Sequence, residues 1–110
     1  MIVRQELESG DFDRFVAAFD DEAVWIGAGQ EEPAFRGREA IEGALREQLD
    51  AGMRIDPEFV LDNGEAIVVD MHADPPPQHA PKLHHVFRIR DDRIVRVEDH
   101  PDRESALRAV

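Results

Sequence analysis

The chain of 110 residues contains no cysteine and no tyrosine, and it has a single tryptophan. Without cysteine it can form no disulfide, and no thiol can act as a nucleophile or a metal ligand. A chain of this length can bury one modest core. We therefore expect residues 1–110 to form one domain that folds without covalent cross-links.

Long apolar runs are also missing. No run approaches the roughly 20 apolar residues that a membrane-spanning helix needs. Residues 1–10 carry charges where a signal peptide requires an apolar stretch. These absences predict a cytoplasmic protein that does not bind a membrane.

Basic residues are scarce, with 13 Lys and Arg against 25 Asp and Glu and a net charge of −12 at pH 7. Such a charge repels phosphate backbones and anionic lipids, so nucleic acid is not an expected partner. The acidic residues are spread through the chain rather than gathered in a tail, and their simplest role is solubility.

The first half of the chain shows helical periodicity. Residues 2–9 could form a short helix, and Asp11 is a suitable N-cap for a second one. Apolar side chains at helical spacing predict that this second helix extends through residue 19: Phe12, Phe15, Val16 and Phe19. A strand is expected over residues 23–26, and an amphipathic helix over residues 38–49, ended by Gly52.

The second half of the chain changes to the period of two that is typical of strands. Asn63 and Gly64 tolerate the positive φ of a tight turn, which predicts a hairpin. Further strands are expected over residues 82–90 and 93–99, with a short helix or tail after them. The Pro-rich residues 74–81 are either a lid over a pocket or a stiff connection. This order predicts an α+β fold in which helices cover one face of a curved antiparallel sheet.

The connection between the last two strands decides which residues share a face of the sheet. A two-residue turn at Asp91 and Asp92 pairs Ile89 with Ile94 and mixes polar and apolar residues on both faces. A connection of three residues, 90–92, pairs Ile89 with Arg93 instead. It gathers the apolar residues on one face together with two polar ones: His85, Phe87, Ile89, Val95, Val97 and Asp99. Because a slip of one residue turns every side chain to the opposite face, this separation favours the second register.

In the favoured register His85 lies across from Val97, and Asp99 is its diagonal neighbour. A carboxylate beside an imidazole can hold the ring in one tautomer, which suits general acid–base catalysis. The same arrangement is compatible with a buried histidine that is merely capped by an acid. Four further residues are expected either to line a substrate-binding pocket or to fill an ordinary core: Trp25, Met71, Phe87 and Val97.

Five histidines raise the question of a metal site. Zinc and iron sites need side chains that converge on one point. His84 and His85 are adjacent, so on a strand their side chains point to opposite faces, and His79 lies within the Pro-rich residues. We therefore expect no metal and no other cofactor. A cupin-like metal barrel is the alternative fold, and the two N-terminal helices speak against it.

Three stretches of the chain together resemble the SnoaL-like branch of the nuclear transport factor 2-like superfamily. They are SGDFDRFVAAFDDEAVWIG at residues 9–27, FRGREAIEGAL at residues 35–45 and HVFRIRDDRIVRVEDHPD at residues 85–102. The resemblance spans nearly the whole chain. It implies a cone, in which a strongly curved antiparallel sheet wraps around a pocket that is closed by N-terminal helices. It also implies homodimers that form through the sheet.

The superfamily includes polyketide cyclases, ketosteroid isomerases and limonene epoxide hydrolases, beside many members without known activity. A catalytic Asp of the final strand in cyclases and epoxide hydrolases matches Asp99 here, and a pocket-facing His or Asp on the preceding strand matches His85. Epoxide hydrolases also need an Arg and an Asp where this chain has Met71 and Ala73, and the isomerases use a Tyr that this chain lacks. These departures argue against both mechanisms in their usual form.

Two hypotheses follow from the residues and the resemblance. In the first, the protein is a cofactor-free cyclase or isomerase that binds an apolar, carbonyl-bearing small molecule and uses His85 and Asp99 for acid–base chemistry. In the second, it is a non-catalytic ligand-binding or assembly module with a vestigial pocket. Its outer face would then pair with a second copy, where Arg88, Arg96 and Glu98 could form ion pairs, although exposed pairs contribute little.

Overall fold

The computed structural model describes residues 11–50, 54–74 and 84–110, with the backbone alone described for residues 54–57 and 71–74. Its elements are α1 (Phe12–Ala17), β1 (Phe19–Ile26), β2 (Phe35–Arg36), α2 (Arg38–Asp50), β3 (Arg54–Asp62), β4 (Ala66–Asp74), β5 (His84–Arg90), β6 (Arg93–His100) and α3 (Arg103–Arg108). The helix predicted for residues 2–9, the helix end at Gly52 and almost all of the Pro-rich stretch lie outside the described residues.

The strands form one curved, unclosed sheet in the order β2-β1-β6-β5-β4-β3. Neighbouring strands are antiparallel, except that β1 runs parallel to β6. This architecture confirms the predicted α+β class. The parallel pairing of β1 with β6 places the first strand beside the last.

Helix α1 begins at the predicted cap and ends earlier than its apolar spacing indicates. The Asp11 carboxylate accepts a hydrogen bond from the Arg14 N–H at 3.2 Å, as an N-cap does. The helix ends at Ala17, and Phe19 is already the first residue of β1. The prediction that the helix includes Phe19 and that the strand starts at residue 23 was therefore wrong. Phe19 is fully buried, so its place in the apolar pattern reflects burial rather than helical periodicity.

The hairpin between β3 and β4 is formed as the sequence predicts. Gly64 has a φ of 89°, which an L side chain rarely adopts. The Asn63 side-chain oxygen accepts hydrogen bonds from the N–H groups of Glu65 and Ala66, at 3.0 and 2.8 Å. The Asn-Gly pair therefore supplies both the backbone freedom and the hydrogen-bond acceptor that the turn requires.

The hairpin between β5 and β6 differs from the prediction. Its turn has two residues, Asp91 and Asp92, both with positive φ (53° and 61°), and Ile89 pairs with Ile94. The predicted three-residue connection was wrong because Asp can adopt the left-handed conformation that such a turn needs. A bulge then leaves Val95 without an opposite partner, so that Arg88 pairs with Arg96. The extra residue restores an apolar inner face, which the turn alone would not have produced.

Two separate apolar clusters lie on the two faces of the sheet. The inner cluster consists of Phe19, Ala23, Ile41, Ile67, Val69, Phe87, Ile94 and Val97, with α1 and α2 packed against it. The outer cluster consists of Ala66, Val68, Val86 and Ala106. Ala106 belongs to α3, so the C-terminal helix covers the outer face rather than joining the other two helices.

Candidate functional site

His85 and Asp99 lie directly opposite each other on β5 and β6, on the inner face of the sheet. The distance from His85 Nδ1 to Asp99 Oδ1 is 2.6 Å, and each side chain is 11% exposed. The predicted register made them diagonal neighbours, and the two-residue turn and the bulge at Val95, each shifting the register by one residue, bring them into direct opposition. The structure thus brings together the two residues that the sequence singled out, at hydrogen-bond distance.

Trp25 completes the group from the other side of Asp99. The indole Nε1–H lies 3.0 Å from both oxygens of the Asp99 carboxylate. The contact exists because β1 runs parallel to β6 with Trp25 opposite Val97, and Asp99 follows Val97 on the same face by the strand period. Sequence reasoning considered Trp25 only as a pocket wall or core residue. Nothing in the local sequence indicates that β1 neighbours β6.

An aromatic surface surrounds this group. The Trp25 ring meets the His85 ring edge to face at a centroid distance of 5.7 Å, and it lies 6.3 Å from the Phe87 ring. Phe19 stacks near Trp25 at 6.4 Å. Phe87 and Val97 are fully buried, so they form a wall beneath the polar group. The side chain of Met71 lies outside the described residues.

The hydrogen bond between His85 and Asp99 leaves one ring nitrogen uncommitted. With Nδ1 donating to the carboxylate, Nε2 of a neutral His85 carries a lone pair and can accept a proton. Once protonated, the ring can return that proton from the same atom. The arrangement therefore supplies general acid–base chemistry from a single nitrogen. Within the described parts of the chain, no three metal-ligating side chains converge.

A second His–Asp pair lies on the outer face and was not singled out from the sequence. Asp70 is fully buried and pairs with His84 through Oδ1, while Arg103 of α3 binds Oδ2 at 3.1 Å from Nε and 2.5 Å from Nη2. Burial raises the pKa of the Asp70 carboxyl, but hydrogen bonds from His84 and Arg103 outweigh it and hold that pKa below its usual range. In the sequence, this pair could have been found from Asp70, the acidic residue that ends the otherwise apolar run AIVVD.

Three further charged side chains of the outer face pair with groups of the same chain. The Glu98 carboxylate forms ion pairs with the guanidinium groups of Arg88, at 3.3 Å, and Arg96, at 2.8 Å. Arg88 also donates to the backbone carbonyl of Ala109, after the end of α3. The ion pairs that the second hypothesis placed between two copies are therefore formed inside one molecule.

A surface depression of about 390 Å³ lies at the β5–β6 turn, away from the His85–Asp99 pair. It is lined by Asp20, Arg90, Asp91, Arg93 and Val95. Both signs of charge occur in it, and none of the residues predicted from the sequence to form a site lines it.

The sequence profile of the SnoaL-like domain matches residues 3–97 of the chain. The match covers most of the 110 residues, and the chain belongs to this family. A comparison with curated proteins finds no significant match. Among the described residues, no helix is both long enough and apolar enough to cross a membrane.

Solved structures of the nuclear transport factor 2-like fold resemble the chain over most of its length. One, of unknown function from Cytophaga hutchinsonii, is 19% identical, with a TM-score of 0.65 and coverage of 89% of this chain and 91% of that one. A proposed polyketide cyclase from Sinorhizobium meliloti is 24% identical, with a TM-score of 0.54 and coverages of 89% and 88%. TerC, co-crystallised with polyporic acid, is 18% identical, with a TM-score of 0.59 and coverages of 97% and 90%. These similarities confirm the cone fold.

Proposed function

We propose that the protein is a cofactor-independent enzyme that moves a proton at a carbon atom adjacent to a carbonyl group, in an apolar small molecule. The observation that carries the proposal is the 2.6 Å contact between His85 and Asp99, two nearly buried side chains on the inner face of the sheet. Buried His–carboxylate pairs in an apolar setting are typical of general acid–base sites.

In the proposed reaction the His85–Asp99 pair removes the proton, and the electrons of the broken C–H bond move onto the carbonyl oxygen as an enolate. Return of the proton to a different carbon completes an isomerisation. Attack of the enolate carbon on a second carbonyl of the same molecule forms a C–C bond, and protonation of the resulting alkoxide completes an aldol-type cyclisation. Neither route requires an oxidant, a reductant or a cofactor.

The substrate class is supported by the walls of the site. Trp25 and Phe87 offer aromatic surface beside the His85 ring, and Val97 adds a buried aliphatic wall. We propose that these residues, with Met71, contact the apolar part of the ligand. Two proteins of the same fold point to related chemistry, since one is a proposed polyketide cyclase and one was crystallised with polyporic acid.

The test does not require knowledge of the natural substrate. A panel of apolar cyclic ketones and 1,3-diketones is incubated with the protein in D₂O, and ¹H NMR follows loss of the proton beside the carbonyl. We expect at least one compound to exchange faster than in buffer. His85→Gln should remove most of that acceleration, by about 100-fold or more.

His84→Gln is the matched control, because His84 is the neighbouring residue on β5 and faces the other side of the sheet. It should keep the acceleration within a few-fold of the original protein. The proposal is wrong if His85→Gln exchanges as fast as the original protein, or if no compound of the panel is accelerated.

The alternative is a non-catalytic ligand-binding protein or a homodimeric module. The observation that favours it is the complete burial of Phe87 and Val97 within the inner cluster, because a filled core beside Asp99 leaves less space for a substrate. Sedimentation velocity at several concentrations tests the dimer, and a tryptophan-fluorescence titration with the same ketones tests binding without turnover. A cytoplasmic location is part of both proposals.

A further inference from the structure

The Asp99 carboxylate is held from both sides by strands that flank its own. Strand β6 lies between β1 and β5 in the sheet. From β5, His85 Nδ1 approaches Oδ1 at 2.6 Å, and from β1, the Trp25 indole Nε1 lies 3.0 Å from Oδ1 and 3.0 Å from Oδ2. Trp25 and Asp99 are 74 positions apart in the sequence, so this contact depends entirely on the strand order.

We propose that Trp25 is a positioning residue: its indole N–H fixes the Asp99 carboxylate, so that Asp99 serves as a stationary partner and Nε2 of His85 alone exchanges protons with the substrate. This inference rests on the proposed function and refines it. The proposed function shares the proton transfer between His85 and Asp99, whereas the geometry of Trp25 separates their roles.

The separation follows from the hydrogen bonds that the carboxylate accepts. A carboxylate offers about two acceptor positions on each oxygen. Oδ1 accepts from both His85 and Trp25, and Oδ2 also faces the indole N–H. Donors from both flanking strands therefore hold the Asp99 carboxylate in one position. The His85 ring, in contrast, has Nδ1 committed to Asp99, and Nε2 has no hydrogen-bond partner among the described residues.

The indole is itself held rigidly by its neighbours, which a positioning residue requires. Phe19 lies nearly parallel to Trp25, at an interplanar angle of 21°, and Phe87 meets it at 79°. Both phenylalanines are fully buried. The direction of the indole N–H is therefore set by packing and does not depend on Asp99.

The experiment uses NMR of ¹⁵N-labelled protein and needs no substrate. The chain has one tryptophan, so its single indole N–H signal is assigned without ambiguity. We expect a low-field, slowly exchanging indole N–H, and a His85 ring that is protonated on Nδ1 when neutral. Trp25→Phe keeps an aromatic ring and removes the N–H. It should abolish the low-field His85 Nδ1–H signal and raise the population of the Nε2–H tautomer several-fold.

Phe15→Leu is the matched control, because it removes an aromatic ring that contacts Phe19 and Phe87 and leaves the indole N–H and the ring stacked on it in place. It should leave the His85 tautomer unchanged. The inference is overturned if Trp25→Phe retains the Nδ1–H signal, or if Phe15→Leu abolishes it equally, since packing alone would then explain the effect. The signals of His84 on the outer face report whether each variant is folded.

A second measurement does not depend on a Trp25 variant. In the protein with Asp99→Asn, the indole N–H should move to higher field and exchange faster with solvent, because the charged acceptor is lost. An unchanged indole signal overturns the inference. Failure of this inference can be told apart from failure of the proposed function. If only the inference fails, the His85 tautomer does not change in Trp25→Phe, while the ketones still exchange. If only the proposed function fails, the tautomer changes in Trp25→Phe, while no ketone exchanges.

Discussion

The two His–Asp pairs in the described part of the chain differ in the third group that binds the carboxylate. His84 and His85 are neighbours on β5, and each faces an Asp directly across an adjacent strand, Asp70 on the outer face and Asp99 on the inner face. The outer carboxylate also binds the guanidinium of Arg103, whereas the inner one binds the neutral indole of Trp25. The backbone arrangement is nearly the same, and the difference lies in charge.

That difference is the basis for proposing a structural role for the outer pair and a catalytic role for the inner one. The fully buried Asp70 carboxylate is bound on one oxygen by His84 and on the other by the Arg103 guanidinium, which also approaches Glu58 at 4.0 Å. Among the described residues, the Asp99 carboxylate is bound by His85 and by the uncharged indole of Trp25, with no arginine or lysine paired to it.

The largest expected effect contrasts the two acids in the isotope-exchange assay. Asp99→Asn should lower accelerated exchange by about 100-fold or more, because His85 loses the anion that fixes its tautomer. The same change should lower the free energy of unfolding by less than about 1 kcal/mol, since Asn can still accept a hydrogen bond. Asp70→Asn should leave exchange within a few-fold. Equal losses of exchange in both variants would remove the functional contrast between the faces.

The next largest effect is the loss of stability expected when the outer acid, Asp70, is replaced. Asp70→Asn should lower the free energy of unfolding by about 2–3 kcal/mol, because it removes the buried charge that binds both His84 and Arg103. Arg103 is half-exposed and can turn to solvent, which keeps the loss below that of a fully buried pair. Urea denaturation measures the difference. A loss no larger than that of Asp99→Asn would show that the outer pair does not anchor α3.

The pH dependence of stability should also follow the outer pair. The pKa of Asp70 is lowered in the folded state from its ordinary value of 3.8. Its contribution to stability is therefore complete above that value and is lost as the pH falls through the lower, folded pKa. The difference in unfolding free energy between the original protein and Asp70→Asn should be constant near neutral pH and shrink below about pH 4. A constant difference down to pH 2 would contradict this origin.

The smallest effect concerns the β5–β6 turn, which helps to set the register of the inner His–Asp pair. Asp92 has a φ of 61°, a conformation that is unfavourable for L residues and accessible to Gly. Asp92→Gly should raise the free energy of unfolding by about 0.5–1 kcal/mol and leave both His–Asp contacts in place. Thermal unfolding checks the gain, and the His85 and His84 ring signals check the contacts. A shift of either ring signal would mean that the turn residue influences the strand register.

Much of the fold could be predicted from local chemistry, and the errors have identifiable causes. The Asp11 cap and the Asn63–Gly64 turn act within a few residues of themselves, so their sequence signals are sufficient. The β5–β6 connection was misjudged because a two-residue turn followed by a bulge gives nearly the same inner face as a three-residue connection. Binary patterning reports which face is apolar, and two backbone geometries can satisfy it.

The sequence by itself determined that His84 and His85 face opposite sides of a strand, that Asp99 belongs to the inner face, and that the chain is an α+β protein of the SnoaL-like family. The placement of these side chains follows from alternation along a strand, and the family follows from the resemblance of three stretches of the chain and the profile match over residues 3–97. The tertiary structure alone decided the third partners, Trp25 for Asp99 and Arg103 for Asp70. Strand order and helix docking bring such distant residues together, and both depend on packing of the whole chain. Local periodicity therefore does not predict these contacts.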